Sequence, residues 1–421
     1  MTSQGRLRLL HFAPRVYSHP VNGAELRGYH LAAQLSRHMA VTHLGFSRPN
    51  ENVEPAAKDS WLRMVAVPRS NGYRMFDLLS GLLGSTPFSV LNFARKEMAR
   101  TLAQLLREER FDIVQLEGIH LGAYLPALRA VSGSPPLVVC DWHNIESEIL
   151  SRYAETAKGM ARRLYARQAA AKLERYERRF VQQCDLHVVV SERDRDTLVR
   201  YGTRAPIAVI ENGVPAADFP PDPAPCAFTP GGRFRVLFVG AMDYHANIDA
   251  VTHFGRTAWP RIHAGIPESV FTIVGRDPSE AVRALGTLPG IEVTGTVPDV
   301  RCYYKEAFVA LAPLRVAGGT RIKIVEAMAA GVPVVATARG AEGLAGVPDV
   351  HYILAETGEE MAQAVVELSQ NAQKAARLVQ AGRELVLKRY DWTALGDTLA
   401  ARLLSLVQSA EPAARAVGPG T

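Results

Sequence analysis

The sequence is short of cysteine. Cys140, Cys184, Cys226 and Cys302 are its only four, far apart and with no CxxC pair. That spacing argues against a zinc site or a disulfide framework and for a reducing compartment. Long apolar runs are also missing. None approaches the ~18–20 residues that a membrane span needs. The opening MTSQGRLRLLHFAP holds only a short apolar run, which reads as a first strand rather than a signal peptide. The expectation is a cytoplasmic chain, soluble or peripheral to a membrane. The first glycine loop, NGAELR, is neither GxGxxG nor GxxxxGK, so it carries no dinucleotide or P-loop fingerprint. Charge is not in excess: 21% of residues are charged and the formal net charge is +6. Disorder is therefore not expected over most of the chain, and a nucleic-acid partner is not expected either. What is present is length and apolar content. At 421 residues and 48% hydrophobic, the chain can bury two sizeable cores.

Strand and helix patterns alternate from the start. Leu7–Phe12 reads as a strand, followed by a loop with Gly23 and Arg27, the helix LAAQLSRH, and a strand over Val41–Phe46. That is the beginning of a doubly wound sheet. Gly23 lets a ligand approach the helix start, and Arg27 is either a contact for an anion or an acceptor or an exposed first-turn arginine. Residues 90–110 predict an amphipathic helix. FDIVQLEG ends a strand at Glu117 and His120, and PLVVCDWHNIESE ends the next at Asp141, His143, Asn144 and Glu146. Ligands of open α/β sheets bind at the carboxyl ends of strands, so these residues outline a pocket.

Residues 152–180 predict one long helical stretch with nine Lys/Arg against three Glu. Two readings stand for it: a packed helix with a solvated basic face, or a face touching an anionic membrane or a polyprenyl-phosphate acceptor. Ser191 and Asp194 predict a helix cap. Asp194-Arg195-Asp196 has the DxD form of a metal motif but falls in a helix start, and no metal site is assigned. The domains predicted are 1–205, a linker over 206–232, a second α/β domain over 233–385, a terminal helix over 386–408 and a disordered tail over 409–421.

The stretch 313–344, PLRVAGGTRIKIVEAMAAGVPVVATARGAEGL, is the most informative. Gly318 and Gly319 end a loop, Thr320 can cap a helix, and Ile322, Ile324, Val325, Met328 and Ala329 form its apolar stripe. Gly331 stops the helix and Pro333 opens a strand. A glycine loop feeding a helix N-terminus suits an anion. Arg321 and Lys323 add charge to that turn, and Glu326 lies three residues further on. A nucleotide fits this order, with phosphates at the helix end and a ribose diol at the carboxylate.

ENGVPAADF, FVGAMDYHAN, IVGRDP and GGTRIKIVEAMAAGVPVVAT together resemble the family-4 retaining glycosyltransferases, in particular the bacterial transferases of exopolysaccharide and surface-glycan assembly. The resemblance covers nearly the whole chain and is strongest over 208–344. It implies a GT-B fold: two Rossmann-like domains facing a cleft, with a C-terminal helix crossing back to the first. It implies a nucleotide-diphosphate sugar as donor in the second domain, a glycan or polyprenyl-linked acceptor on the first, retention of configuration, and neither metal nor other cofactor. Glu326 matches the glutamate that binds the donor ribose. Gly319 to Ile322 match the backbone that meets the diphosphate, Gly240 lies in the FVG motif, and Gly275, Arg276 and TGTVPD match the wall of the base pocket. Gly23 matches a loop over the donor phosphates. Glu117 aligns best with the first domain's strand-end histidine, with His120 and His143 nearby.

Three positions depart from the family pattern. Its first paired glutamate falls on Gly318, and its two diphosphate-holding cations fall on Ala241 and Ala246. Arg321 and Lys323 are the expected substitutes, Lys323 the better placed. These departures keep two other readings open, a catalytically silent sugar-nucleotide-binding protein and an epimerase of the same fold.

Overall fold

The structure is a computed structural model. It describes residues 6–17, 23–49, 51, 53, 63–69, 81, 84–131, 133–156, 159–219, 234–316 and 322–416. The chain divides into two compact units. One is Met1–Glu211 with Leu395–Thr421, the other Asn212–Ala394.

The first unit is built on a seven-stranded sheet of order β3-β2-β1-β4-β5-β6-β7. Its strands are β1 (Arg8–Phe12), β2 (Ala40–Ser47), β3 (Arg63–Pro68), β4 (Ile113–Glu117), β5 (Leu137–Trp142), β6 (Leu186–Val189) and β7 (Ile207–Val209). Every pairing is parallel. Helices cover such a sheet on both faces, so its strands are near-continuous apolar runs rather than alternating ones. Leu10, Phe12, Leu44, Val114, Leu116 and Val138 pack with Met98 and Leu102 of helix α2 (Lys96–Glu108). Each such side chain contributes roughly 1.5–3 kcal/mol through burial. The strand order turns back between β1 and β4. The carboxyl ends there diverge into a crevice, the usual ligand position in this architecture.

Local sequence explains the helix ends, and in two places shortens what periodicity suggests. Helix α1 spans Gly23–Leu35. The helix expected over 90–110 is α2 alone, because Arg95 is extended (φ −120°, ψ 136°) and separates it from a short turn at Phe88–Leu91. The stretch 152–180 is not one helix. It is α3 (Glu146–Thr156) and α4 (Met160–Phe180), and Gly159, in the left-handed region at φ +93°, breaks the run. Ser191 caps α5 (Glu192–Arg200) by accepting the Asp194 N–H at 3.2 Å.

The second unit carries a six-stranded parallel sheet of order β10-β9-β8-β11-β12-β13. The strands are β8 (Phe234–Val239), β9 (Ser269–Val274), β10 (Ile291–Gly295), β11 (Val309–Ala312), β12 (Val334–Ala336) and β13 (Ile353–Leu354). The order turns back between β8 and β11. Phe234, Phe254, Trp259 and Phe271 fill one side of this sheet, with the Phe254 and Phe271 rings 4.9 Å apart. Helix α6 (His245–Thr257) follows β8, and α7 (Ile322–Ala329) follows β11. Gly331, at φ +75°, ends α7 before β12. Helices α8 (Gly358–Gln370) and α9 (Ala372–Leu385) follow, α8 opening on a Thr357–Glu360 capping box.

Helix α10 (Trp392–Ala416) begins in the second unit and from Leu395 belongs to the first. There Asp397 pairs with His38 at 2.8 Å, and Leu399 and Leu403 are buried. It runs on into the stretch where a tail was expected. The Pro-rich segment 220–232 lies outside the described residues.

Candidate functional site

Each unit gathers its polar groups at the carboxyl ends of its strands, beside the switch point.

In the first unit, the strand register sets His11 beside His43 and Glu117 beside Asp141. All four are buried. Glu117 is the centre. Its Oε2 is 2.7 Å from His143 Nε2, its Oε1 accepts from Gln115 Nε2 at 2.7 Å, and His11 Nε2 lies 2.9 Å from Oε1, off the line of a straight hydrogen bond. Burial opposes the charge on Glu117, but the contacts of His11 and His143 outweigh it and hold the carboxyl well below the usual range. Burial likewise opposes charge on His143, yet Glu117 raises it above an ordinary histidine. Burial, helped by His11, pushes His43 down to about 3, and burial, helped by His143, pushes His120 to about 4. Gly118, at φ +88°, turns the chain out of β4 directly after Glu117, and His120 follows on that turn.

Glu117, His120, His143, Asn144 and Glu146 line a cavity of about 570 Å³. Tyr17, Phe46, Phe93 and Arg69 line it too, with the Arg69 guanidinium 4.7 Å from the Phe93 ring centre. Arg27 and Asp141 are not on this wall. They form a buried ion pair beneath it, with Arg27 Nη2 3.1 Å from Asp141 Oδ1 and Nε 3.1 Å from Oδ2. Arg27 Nη1 donates to the Glu211 carbonyl at 2.9 Å. Burial raises the Asp141 carboxyl, and Arg27 offsets only part of that.

In the second unit, β8 runs into Gly240 and β9 into Gly275. The two backbones approach so closely that a Cβ on Gly275 would overlap the Gly240 carbonyl oxygen. A Cβ on Gly240 would fall 3.1 Å from Lys323 Nζ. Lys323, in the first turn of α7, is half-buried. Its Nζ donates to Asn247 Oδ1 at 2.8 Å and sits 4.0 Å from the Phe238 ring centre. Asn247 Nδ2 in turn donates to the Ala241 carbonyl at 2.9 Å. The ammonium therefore stands beside residues 241 and 246–247. One turn on, half-buried Glu326 accepts from the Tyr304 hydroxyl at 3.1 Å. Burial lowers Lys323 to about 7, with Glu326 opposing it. Burial raises Glu326 to about 7, with Tyr304 and Lys323 opposing it. The pair is thus poised to change charge near neutrality. Arg276 is largely exposed, 3.8 Å from Asp243. Gly318, Gly319, Thr320 and Arg321 lie outside the described residues, and Ile322 opens α7. Gly23 opens α1 with open space around it.

Two parallel α/β sheets, each with its polar cluster at a strand-order reversal, define a GT-B protein. Residues 21–218 match the family described as Glycosyltransferase Family 4, and residues 233–371 match Glycosyl transferases group 1. The chain belongs to the family-4 glycosyltransferases. Among curated proteins it is 28% identical over 238 residues to a GDP-mannose-dependent alpha-(1-6)-phosphatidylinositol monomannoside mannosyltransferase of Mycobacterium tuberculosis, a match over 51% of this chain and 58% of that protein. Among solved structures it resembles sucrose-phosphate synthase from Thermosynechococcus elongatus, with TM-score 0.66 and 18% identity, covering 96% of this chain and all of that one. It also resembles Anabaena Alr3699/HepE in complex with UDP and glucose, with TM-score 0.59 and 16% identity, covering 94% of this chain and 99% of that one.

Among the residues of these clusters, His11, His43, Gln115, Asn247 and Tyr304 go unremarked in the sequence pattern. A histidine inside each of two apolar strands was the available signal. Their 3.0 Å approach depends on strand register, which spacing alone does not supply.

Proposed function

We propose that this protein transfers a hexosyl group from a nucleotide-diphosphate sugar to a glycan or lipid-linked acceptor, with retention and without a metal, at the cytoplasmic face of a bacterial membrane during surface-polysaccharide assembly. The observation that carries the reading is the half-buried Lys323–Glu326 pair beside Gly240 and Gly275. The family pattern lacks its cations at Ala241 and Ala246, and Lys323 Nζ is held by Asn247 beside those positions. The donor's diphosphate sits against Lys323 and the α7 N-terminus, its ribose diol against Glu326. The names of two relatives agree with such a donor, one GDP-mannose-dependent and one solved with UDP and glucose. The acceptor hydroxyl enters the first unit's cavity near Glu117 and His143.

As the bond from the sugar to the phosphate breaks, negative charge grows on the leaving diphosphate, and Lys323 and the helix N–H groups stabilise it. The acceptor oxygen bonds to the same face of the sugar carbon. Its proton passes to the departing phosphate oxygen. Membrane contact is through α3 and α4. There Tyr153, Met160, Leu164 and Tyr165 are exposed among Arg152, Arg162, Arg163 and Arg167.

The test is UDP or GDP release from a donor panel with sugar and lipid-linked acceptors, the anomeric configuration of product being read by NMR. Lys323→Met is expected to lower kcat/KM roughly 10²–10³-fold, as for the loss of one transition-state donor. Unchanged turnover in that variant sinks the donor-site assignment. Gly318 in place of the first motif glutamate favours a second reading, a silent sugar-nucleotide binder. That reading is recognised by tight nucleotide binding with no release from any donor.

A further inference from the structure

Helix α4 carries two glutamates near its end, and they differ. Glu174 pairs with Arg178 on the surface, whereas Glu177 turns inward and is 0% exposed. A carboxyl so placed must be met by donors. Its Oε1 accepts the Ser147 backbone N–H at 3.1 Å. Its Oε2 accepts the Ser147 hydroxyl and, at 3.2 Å, the Tyr201 hydroxyl. Those two hydroxyls are themselves 3.1 Å apart. Burial raises the Glu177 carboxyl to about 7, the Ser147 and Tyr201 donors opposing and Glu146 adding to the rise.

Ser147 belongs to the first turn of α3, where backbone N–H groups have no partner within the helix. A side chain just before the helix commonly supplies the acceptor. Here that residue is Ile145, which is apolar, and the acceptor comes from a helix 30 residues further on. The three residues that open α3 are held in three directions. Glu146 lines the cavity, as Asn144 does. Ser147 is held by α4. Glu148 is held by α5, its Oε1 accepting from Thr197 Oγ1 at 3.1 Å and its Oε2 pairing with Arg193 at 2.8 Å. Only residues 143–145 separate β5 from α3, so fixing Ser147 also fixes Asn144 and Glu146.

We infer that Glu177 is a positioning residue for the cavity. From α4 it caps the start of α3, in place of a cap from the preceding residue, and so holds Asn144 and Glu146 where a ligand meets them. Glu177 is not itself on the cavity wall. That the ligand is the acceptor rests on the function proposed above, whereas the cap does not.

Two substitutions separate cap from packing. Glu177→Met fills much the same space and offers the Ser147 N–H no oxygen. Glu177→Gln keeps a carbonyl oxygen for it. The first experiment, hydrogen exchange of the full chain, needs no substrate. In Glu177→Met the amides of residues 146–149 should exchange roughly 10–100-fold faster, as for one lost hydrogen bond to a charged group, with β5 little changed. Glu177→Gln should return them close to the parent. Unmoved amides at 146–149 in Glu177→Met overturn the inference, whatever the cavity binds. Equal acceleration throughout the first unit also overturns it, because Glu177 would then be a packing residue.

The second experiment is kinetic. In Glu177→Met the acceptor KM should rise about tenfold while kcat and the donor KM change little, the pattern of lost ground-state binding. Glu177→Gln should restore most of it. A parental acceptor KM in Glu177→Met, or a Glu177→Gln variant no better than Glu177→Met, overturns the positioning role. Should Glu177→Met fail to fold, Ser147→Ala and Tyr201→Phe remove one donor each and should raise the acceptor KM in smaller measure. An acceptor KM unmoved in both then overturns it. If no substrate pair gives transfer, the proposed function falls while the exchange still decides the cap.

Discussion

Arg27→Met should destabilise the first unit in a way that depends on pH. Arg27 and Asp141 are about 1% and 0% exposed, and the guanidinium meets both carboxylate oxygens at 3.1 Å. Removing one partner of such a pair leaves a charge with neither water nor counterion, a loss of about 3–5 kcal/mol. Asp141 has an escape, which is to take up a proton. Holding a carboxyl neutral at pH 7 against an ordinary pKa near 3.9 costs about 1.4 kcal/mol per pH unit, so the loss is capped at about 4 kcal/mol at pH 7. The sign follows. In the variant the folded carboxyl is raised well above its unfolded value, so the folded state binds the extra proton. Stability is then highest in acid and falls as pH rises toward the new pKa. Relative to the parent, the deficit should be at most about 1.5 kcal/mol at pH 5 and about 3–4 kcal/mol at pH 7. Urea unfolding followed by hydrogen exchange resolves β5 of the first unit from the strands of the second. The double change Arg27→Met/Asp141→Asn should recover much of the loss at pH 7. A deficit under about 1 kcal/mol at pH 7, or one that does not vary with pH, would refute the argument.

Nucleotide affinity should peak near pH 7. Lys323, lowered to about 7, loses its charge above that value, and Glu326, raised to about 7, loses its charge below it. Calorimetric titration with UDP and GDP should show both limbs, Lys323→Met flattening the alkaline one and Glu326→Gln the acid one. An affinity independent of pH from 6 to 8.5 counts against both placements. Gly275→Ala should abolish nucleotide binding and lower the melting temperature by several degrees, since its Cβ meets backbone rather than a side chain that can swing away. A variant with parental melting and affinity would mean that the two strand ends separate freely.

The strands and the two-sheet plan were legible because apolar runs, glycine stops and caps act locally. Gly331 and Ser191 do what their chemistry predicts. The break at Gly159 was not legible, since apolar residues keep helical spacing on both sides of it and one residue's backbone decides the matter. At the candidate sites, residue types were legible and partners were not. Arg27 reads either as a contact for an anion or acceptor or as an exposed first-turn arginine, and it is buried against Asp141, a partner 114 residues away on β5. Lys323 reads as part of a phosphate-seeking turn. That its ammonium is held by Asn247, on the helix after β8, follows only from the fold.

The route of the chain has a consequence for how the protein is made. The first unit is interrupted after Glu211 and resumes at Leu395. On a ribosome its seven strands emerge before the second unit, yet the helix that carries the buried Leu399 and Leu403 emerges after it. The second unit, contiguous from Asn212 to Ala394, is complete before that helix appears. A nascent chain stalled before residue 395 would therefore hold a finished second unit and a first unit still lacking its lid. A chaperone that binds exposed apolar surface would find the first unit rather than the second.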